Sequence, residues 1–172
     1  MASEALERIL KSYVRYYDIN KETPLAPFAA EAEFHSMEKS YILSRKAVIS
    51  EAESNEYIFF HADENLSADD VKELSLKAWE EGLSRVEPHK SHRNSDVTVV
   101  ITADKVSDEA FEEAKKTKFY KSYKMSFNGW SVFRIVILET SSGRLGFNRR
   151  GSELKKIFKF TVKQCKEESK VS

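Results

Sequence analysis

The run Tyr57-Ile58-Phe59-Phe60 puts large apolar side chains on both faces of any strand that contains it, because successive strand residues point to opposite sides. Such a run cannot face water on either side, so it reads as a strand central in its sheet. Val97-Thr98-Val99-Val100-Ile101-Thr102 reads as a second strand, and Ile135-Val136-Ile137-Leu138 lies inside a third that runs from Trp130 to about Glu139. A chain with this content must build a sheet and cover it.

Helical spacing supplies the cover. Leu6, Ile9, Leu10, Tyr13, Val14 and Tyr17 repeat at i, i+3, i+4, with Ser3 as the expected cap. Asp18-Ile19-Asn20 ends that helix, and Pro24 and Pro27 keep the following segment extended. Strands are expected at Ala30–Ser36, Ser40–Ser50 and Glu56–Ala62, broken at Met37-Glu38-Lys39 and Glu53-Ser54-Asn55. Ser67-Ala68-Asp69-Asp70 has the form of a capping box, followed by the stripe Val71, Leu74, Ala78, Trp79 and Leu83. Ser107-Asp108-Glu109 starts a third helix that buries Ala110, Phe111 and Ala114. Lys115 and Lys116, with Lys118 just beyond, complement its dipole.

From Phe119 to Phe127, Phe119, Tyr123, Met125 and Phe127 alternate with polar residues, and Asn128-Gly129 favours a two-residue type I′ turn into the strand from Trp130. Ser141-Ser142-Gly143 turns into a short strand, Arg144–Asn148. A last helix starts at Ser152 and buries Leu154, Ile157, Phe158, Thr161 and Cys165. The expected order is α-βββ-α-β-α-βββ-α, an α+β fold whose sheet is antiparallel or mixed with helices packed on it. At 172 residues this is one domain, with Glu167–Ser172 its most expendable part.

Formal net charge is +0, but the charges are not evenly spread. Residues 1–110 hold 13 Lys/Arg against 22 Asp/Glu, a net of −9, whereas residues 111–172 hold 15 against 6, a net of +9. An asymmetry of that size marks an anion-binding surface, or two halves that neutralise each other across one fold. The one cysteine, Cys165, excludes a disulfide framework and an all-thiolate zinc site. No apolar run is long enough to span a bilayer, so no membrane partner is expected. Met1-Ala2-Ser3-Glu4 lacks the features of a signal peptide. The expected location is the cytoplasm.

Two stretches carry candidate chemistry. His89 and His92 stand three apart in a loop, with Asp96 close behind. Neutral imidazoles can act as general bases or metal ligands near pH 7. A hydrolytic metal site would need a third ligand, with His35 or His61 available from strand ends. The spacing lacks the helical His-Glu-x-x-His pattern, so a metal is not expected, and Pro88–Asp96 also reads as a polar loop that ends a helix. The second stretch, Gly146-Phe147-Asn148-Arg149-Arg150-Gly151-Ser152, puts two arginines ahead of a helix N-terminus with Lys155 in its first turn. Arginine holds phosphate or carboxylate bidentately. With Lys121 on the basic-aromatic strand, Arg149, Arg150 and Lys155 form the expected anion-binding set. No nucleotide-binding glycine motif and no serine-hydrolase elbow is present. No cofactor is assigned, and the reading leans away from an enzyme.

The opening order resembles the core of the restriction-endonuclease-like fold. Nucleases of that fold carry an Asp/Glu-x-Lys on the third strand, where this chain has Glu56-Tyr57-Ile58, so an active nuclease of that type is not expected and an inactive relative remains an alternative. Pro88-His89-x-x-His92-x-x-Ser95, Gly129-Trp130 with Arg134, and Asn148-x-x-Gly151 together resemble a family of small prokaryotic proteins without an assigned activity. That resemblance implies no reaction, cofactor or partner. The leading expectation is binding of an anion, either a phosphorylated small molecule or nucleic acid, through the basic C-terminal third. A hydrolase-type enzyme around His89 and His92, and a homo-oligomer joining acidic and basic surfaces, are the alternatives.

Overall fold

The computed structural model describes residues 1–41 and 48–171. Among these the helices are α1 (Ala2–Tyr13), α2 (Ala68–Ser84), α3 (Asp108–Lys116) and α4 (Lys155–Val171). The strands are β1 (Asp18–Asn20), β2 (Ala30–Tyr41), β3 (Val48–Leu66), β4 (His92–Val106), β5 (Tyr120–Ser122), β6 (Trp130–Glu139) and β7 (Arg144–Phe147). A single 3-10 turn, Gly151–Leu154, leads into α4.

One mixed sheet runs in the order β1-β2-β3-β4-β6-β5. β1, β2 and β3 are antiparallel, and β4 is parallel to both β3 and β6. β5 and β7 share the outer side of β6: β5 pairs with Trp130–Val132 and β7 with Val136–Glu139. The outer side of β6 therefore has a gap between its two partners, and the candidate site is built there.

Strand parity divides the core in two. Tyr57, Phe59, Val97, Val99, Ile101, Phe133, Ile135 and Ile137 pack under α2 and α3. Ile58, Phe60, Val100, Val136 and Leu138 pack under α1 and α4. Both faces of β3 are thus covered, as the Tyr57–Phe60 run requires. Burying side chains such as Phe59 and Phe60 stabilises the fold by about 1.5–3 kcal/mol each. The α+β class and the order α-βββ-α-β-α-βββ-α match the sequence reading, although the three strands before α2 are not all the ones expected.

Helix caps explain where the helices begin. On α2, the Ser67 hydroxyl accepts the Asp70 N–H at 3.2 Å and the Asp70 carboxylate accepts the Ser67 N–H at 2.8 Å, a reciprocal capping box. Ser107 caps α3 by accepting the Ala110 N–H at 3.1 Å. Ser3, the expected cap of α1, instead lies inside the helix. Its role passes to a distant residue: Asp104, near the end of β4, accepts the Ala2 N–H at 2.8 Å.

Several local expectations change. Asp18–Asn20, read as a helix end, forms edge strand β1 against Glu31–Glu33. The breaks expected at Met37–Lys39 and Glu53–Asn55 fall inside β2 and β3, whose pairing runs on through Met37↔Glu53 and His35↔Asn55. Antiparallel partners satisfy each other's backbone groups even where the side-chain pattern turns polar. Of the strand expected at Ser40–Ser50, residues 40–41 belong to β2 and 48–50 to β3, and residues 42–47 lie outside the described residues.

The hairpin at Asn128-Gly129 is also wider than expected. β5 ends at Ser122, Asn128 donates its N–H to the Tyr123 carbonyl, and Lys124, Met125 and Ser126 all have positive φ (47°, 51° and 71°). The alternation through Met125 and Phe127 is not a strand, and both side chains stand in solvent. In the last helix Ile157 is exposed, while Leu154, Phe158, Thr161 and Cys165 are buried as expected.

Candidate functional site

The histidine loop is a structural clamp in this fold. β4 carries one extra residue around Arg93, since Glu53 pairs with His92 and Ser54 with Asn94. A bulge of this kind reverses the parity of what precedes it. His92 therefore shares a face with Ser95 and not with Asp96. Its Nε2 lies 2.8 Å from the Ser95 hydroxyl and its Nδ1 2.6 Å from the Asn128 carbonyl. A carbonyl only accepts, so Nδ1 donates to it, and in the neutral imidazole Nε2 then accepts from Ser95. That order resembles a nucleophile and its base. However, Ser95 is fully buried, His92 is 3% exposed, and the Tyr123 ring stands against the imidazole at 5.7 Å. Ser95 Oγ is therefore out of a substrate's reach, and the pair fastens the Tyr123–Gly129 loop to β4.

His89 turns elsewhere. Its Nε2 meets the Glu53 carboxylate at 2.7 Å. The Asn55 amide, and then His89, hold the Glu53 carboxyl below its usual range. Asp96 lies on the opposite face under α1, ion-paired to Arg134. The expected trio His89, His92 and Asp96 is thus split among three separate partners. His61 bonds the Pro27 carbonyl and His35 the Asn55 side chain, so neither completes a metal cage. Among the described residues no three His, Cys, Asp or Glu side chains converge for an ion.

The buried ion pair belongs to a polar cluster beneath α1. Tyr17 donates to Glu56 at 2.7 Å. Burial first, with Glu56 adding to it, pushes the phenols of Tyr13 and Tyr17 well above the ordinary tyrosine value. Tyr13 Oη, Thr98 Oγ1 and Arg134 Nε are buried and have no hydrogen-bond partner among the described residues.

The gap beside β6 carries the strongest feature. The Asn148 side chain fills the place a strand would take. Its oxygen accepts the N–H groups of Ile135 at 3.3 Å and Gly151 at 2.7 Å. Its amide donates to the carbonyls of Phe133 and Thr117, each at 3.0 Å. The Thr117 bond ties the end of α3 to the end of β7 and so brings Lys115, Lys116 and Lys118 beside Arg149 and Arg150.

Those five cations line a groove of about 520 Å³ together with Phe119, Tyr120, Trp130 and Phe133, and among the described residues its lining holds no acidic residue. Among the described residues Lys115, Lys116, Lys118 and Arg149 form no ion pair, and Arg150 pairs only with exposed Glu153 at 3.0 Å. An exposed pair of that kind holds by about 0–1 kcal/mol and yields readily to a ligand.

Arg149 and Arg150 of the expected anion-binding set are therefore in the groove, whereas Lys155 and Lys121 are not. Lys155 lies over the Phe147 ring at 5.8 Å and Lys121 over Tyr123 at 5.6 Å. The expected helix N-terminus is also occupied. Gly151 donates to Asn148 Oδ1, Ser152 to the Asn148 carbonyl and Glu153 to the Arg150 carbonyl. With those N–H groups taken, positive charge at this end comes from side chains. From sequence, Lys115 and Lys116 read only as partners of the α3 dipole, and only the fold brings them to Arg149.

A family model described as a domain of unknown function (DUF8052) matches residues 1–160. This chain belongs to that family. No curated protein and no solved structure matches it. The DUF8052 match spans the groove, the histidine clamp and all the described strands, so these features lie within one family domain. Membership supplies a family and no reaction.

The far end of the DUF8052 sheet has the opposite character. At the β1–β2 edge, a cleft of about 510 Å³ is lined by Asp18, Glu31, Glu33, Glu81 and Arg85 among others. The Arg85 guanidinium bonds Glu33, Glu31 and Glu81 at 2.6–2.9 Å. Burial opposes its charge, but the three carboxylates outweigh that and raise its pKa. Among the described residues no helix is long and apolar enough to cross a membrane.

Proposed function

We propose that this DUF8052 protein binds a phosphate-bearing anion in the groove between the ends of α3 and β7. One observation carries the reading: five cations and no acid line a concavity walled by aromatic rings. Arg149 and Arg150 offer planar forks for phosphate oxygens, and the lysines offer point charges. The rings exclude water from one side and strengthen those contacts. Inorganic tripolyphosphate is a suitable probe because it carries the charge without a base. Calorimetric titration at low salt should give saturable binding that the double variant Arg149→Glu/Arg150→Glu abolishes. Absence of heat and of any thermal stabilisation of the unaltered protein would reject the reading.

A second reading has its own support in the acidic cleft at the opposite edge of the sheet. Acidic edge against basic edge is a head-to-tail contact, which would build an oligomer of this chain. It predicts association that weakens with salt, readable by sedimentation.

A further inference from the structure

We propose that the groove's ligand is single-stranded nucleic acid, with its backbone on the cations and its bases on exposed aromatic rings. This rests on the anion-binding reading and names its substrate class. The observations extend beyond the groove itself. Residues 115–138 contain no Asp or Glu, and Lys115, Lys116, Lys118, Lys121 and Lys124 all fall in their first ten positions. All five side chains are exposed.

Aromatic rings interleave with them: Tyr120 is 56% exposed, Trp130 is half-buried at the groove wall and Phe127 is 78% exposed. Met125, in the same loop, is 86% exposed. Large apolar side chains in solvent next to a charged groove mark a contact surface. The loop that presents them is strained, with three successive non-glycine residues in the left-handed region, and such strain collects at ligand-binding segments. The loop is also clamped by His92 through the Asn128 carbonyl. The strained form is therefore held in place before any ligand arrives.

The arrangement favours a strand over other anions. Phe127 and Met125 lie outside the groove lining, so one nucleotide in the groove would leave them uncovered. Successive unpaired bases would cover both the groove rings and the loop. A duplex keeps its bases stacked on one another and offers no free face to Tyr120 or Phe127. A flat bilayer would meet the loop tip but could not fill the concave groove.

The test is fluorescence anisotropy of labelled oligothymidylate and oligouridylate of about 12 nucleotides, the site size of a typical single-strand module, with the full chain. Tripolyphosphate, a duplex of the same length and phosphatidylserine-containing vesicles run in parallel. Five phosphate contacts at about 0.7 each give a salt slope of about −3.5, or roughly 100-fold weaker binding between about 50 and 200 mM salt. The exposed-loop variant Phe127→Ala, outside the groove lining, should weaken oligonucleotide binding about 10-fold and leave tripolyphosphate affinity unchanged. Arg149→Glu/Arg150→Glu should abolish both.

Oligonucleotide binding indifferent to the aromatic variant, duplex binding as tight as single-strand binding, or binding to vesicles alone would each overturn the inference. Tripolyphosphate binding without oligonucleotide binding would overturn it and leave the anion reading standing. Binding of neither would remove both.

Discussion

Asn148→Ala removes the side chain that completes the edge of β6. Four hydrogen bonds go with it, to Ile135, Gly151, Phe133 and Thr117. Each contributes about 1 kcal/mol net, and the N–H groups of Ile135 and Gly151 would be left in the interior without acceptors at a further cost. The expected loss is about 3–5 kcal/mol, a large share of a typical domain's 5–15 kcal/mol. Urea unfolding followed by circular dichroism and by the fluorescence of Trp79 and Trp130 measures it. Because Asn148 also holds Thr117 to the end of β7, the cations of α3 should separate from Arg149, and tripolyphosphate binding should fall even where the variant is still folded. N148D keeps the two accepting contacts but sets a carboxylate against two carbonyls. It should be less stable at neutral pH and recover partly as acid protonates the new carboxyl. If Asn148→Ala costs less than about 1 kcal/mol, the claim that its side chain replaces a strand is wrong.

Other outcomes follow from the same geometry. Arg134→Met strands the Asp96 carboxylate beneath α1 and should cost about 3–5 kcal/mol, with much of it restored in Arg134→Met/Asp96→Asn; a double variant no better than the single would refute the pairing. Burial holds Tyr57 up to about 12 and raises Tyr13 and Tyr17 further still. Because their folded values exceed the unfolded value near 10, stability is full below about pH 10 and falls as pH rises toward 12, so a flat melting temperature across that range would contradict the burial argument. Gly129→Ala meets a φ of +79° and places a methyl against the His92 and Arg93 carbonyls; a loss of about 1–3 kcal/mol is expected in thermal unfolding, and a neutral result would show that the clamp is loose.

Much of this fold is written locally. The Ser67–Asp70 capping box, the α2 stripe and the two-faced runs at Tyr57 and Ile135 each specify an element from a few neighbouring residues, and those elements formed as expected. What escaped depends on distant partners. Ser3 looks like a cap, but Asp104 fills that role because β4 ends beside Ala2. β1 exists because Glu31–Glu33 pair with it, not because Asp-Ile-Asn favours a strand.

The candidate site shows the same division. Arg149 and Arg150 were visible as a pair before a turn, and the excess of Lys and Arg beyond residue 110 was visible as a count. That Lys115, Lys116 and Lys118 join them depends on one asparagine bridging a sheet edge. The separation within the histidine loop was hidden for a related reason. In a regular strand His92 and Asp96 share a face, and the extra residue around Arg93 separates them. No feature of the sequence around Arg93 distinguishes a bulge from a continuous strand.

Anion binding between the ends of α3 and β7 can be located residue by residue. At 19.8 kDa the chain suits amide-resolved NMR, so titrating tripolyphosphate into labelled protein at low salt locates the contact directly. Saturable shifts concentrated at Lys115–Tyr120, Trp130 and Asn148–Gly151 are the predicted result. Shifts centred on the His89–Asp96 loop or on the Arg85 cleft, or none at all, would rule out an anion site at the α3–β7 groove.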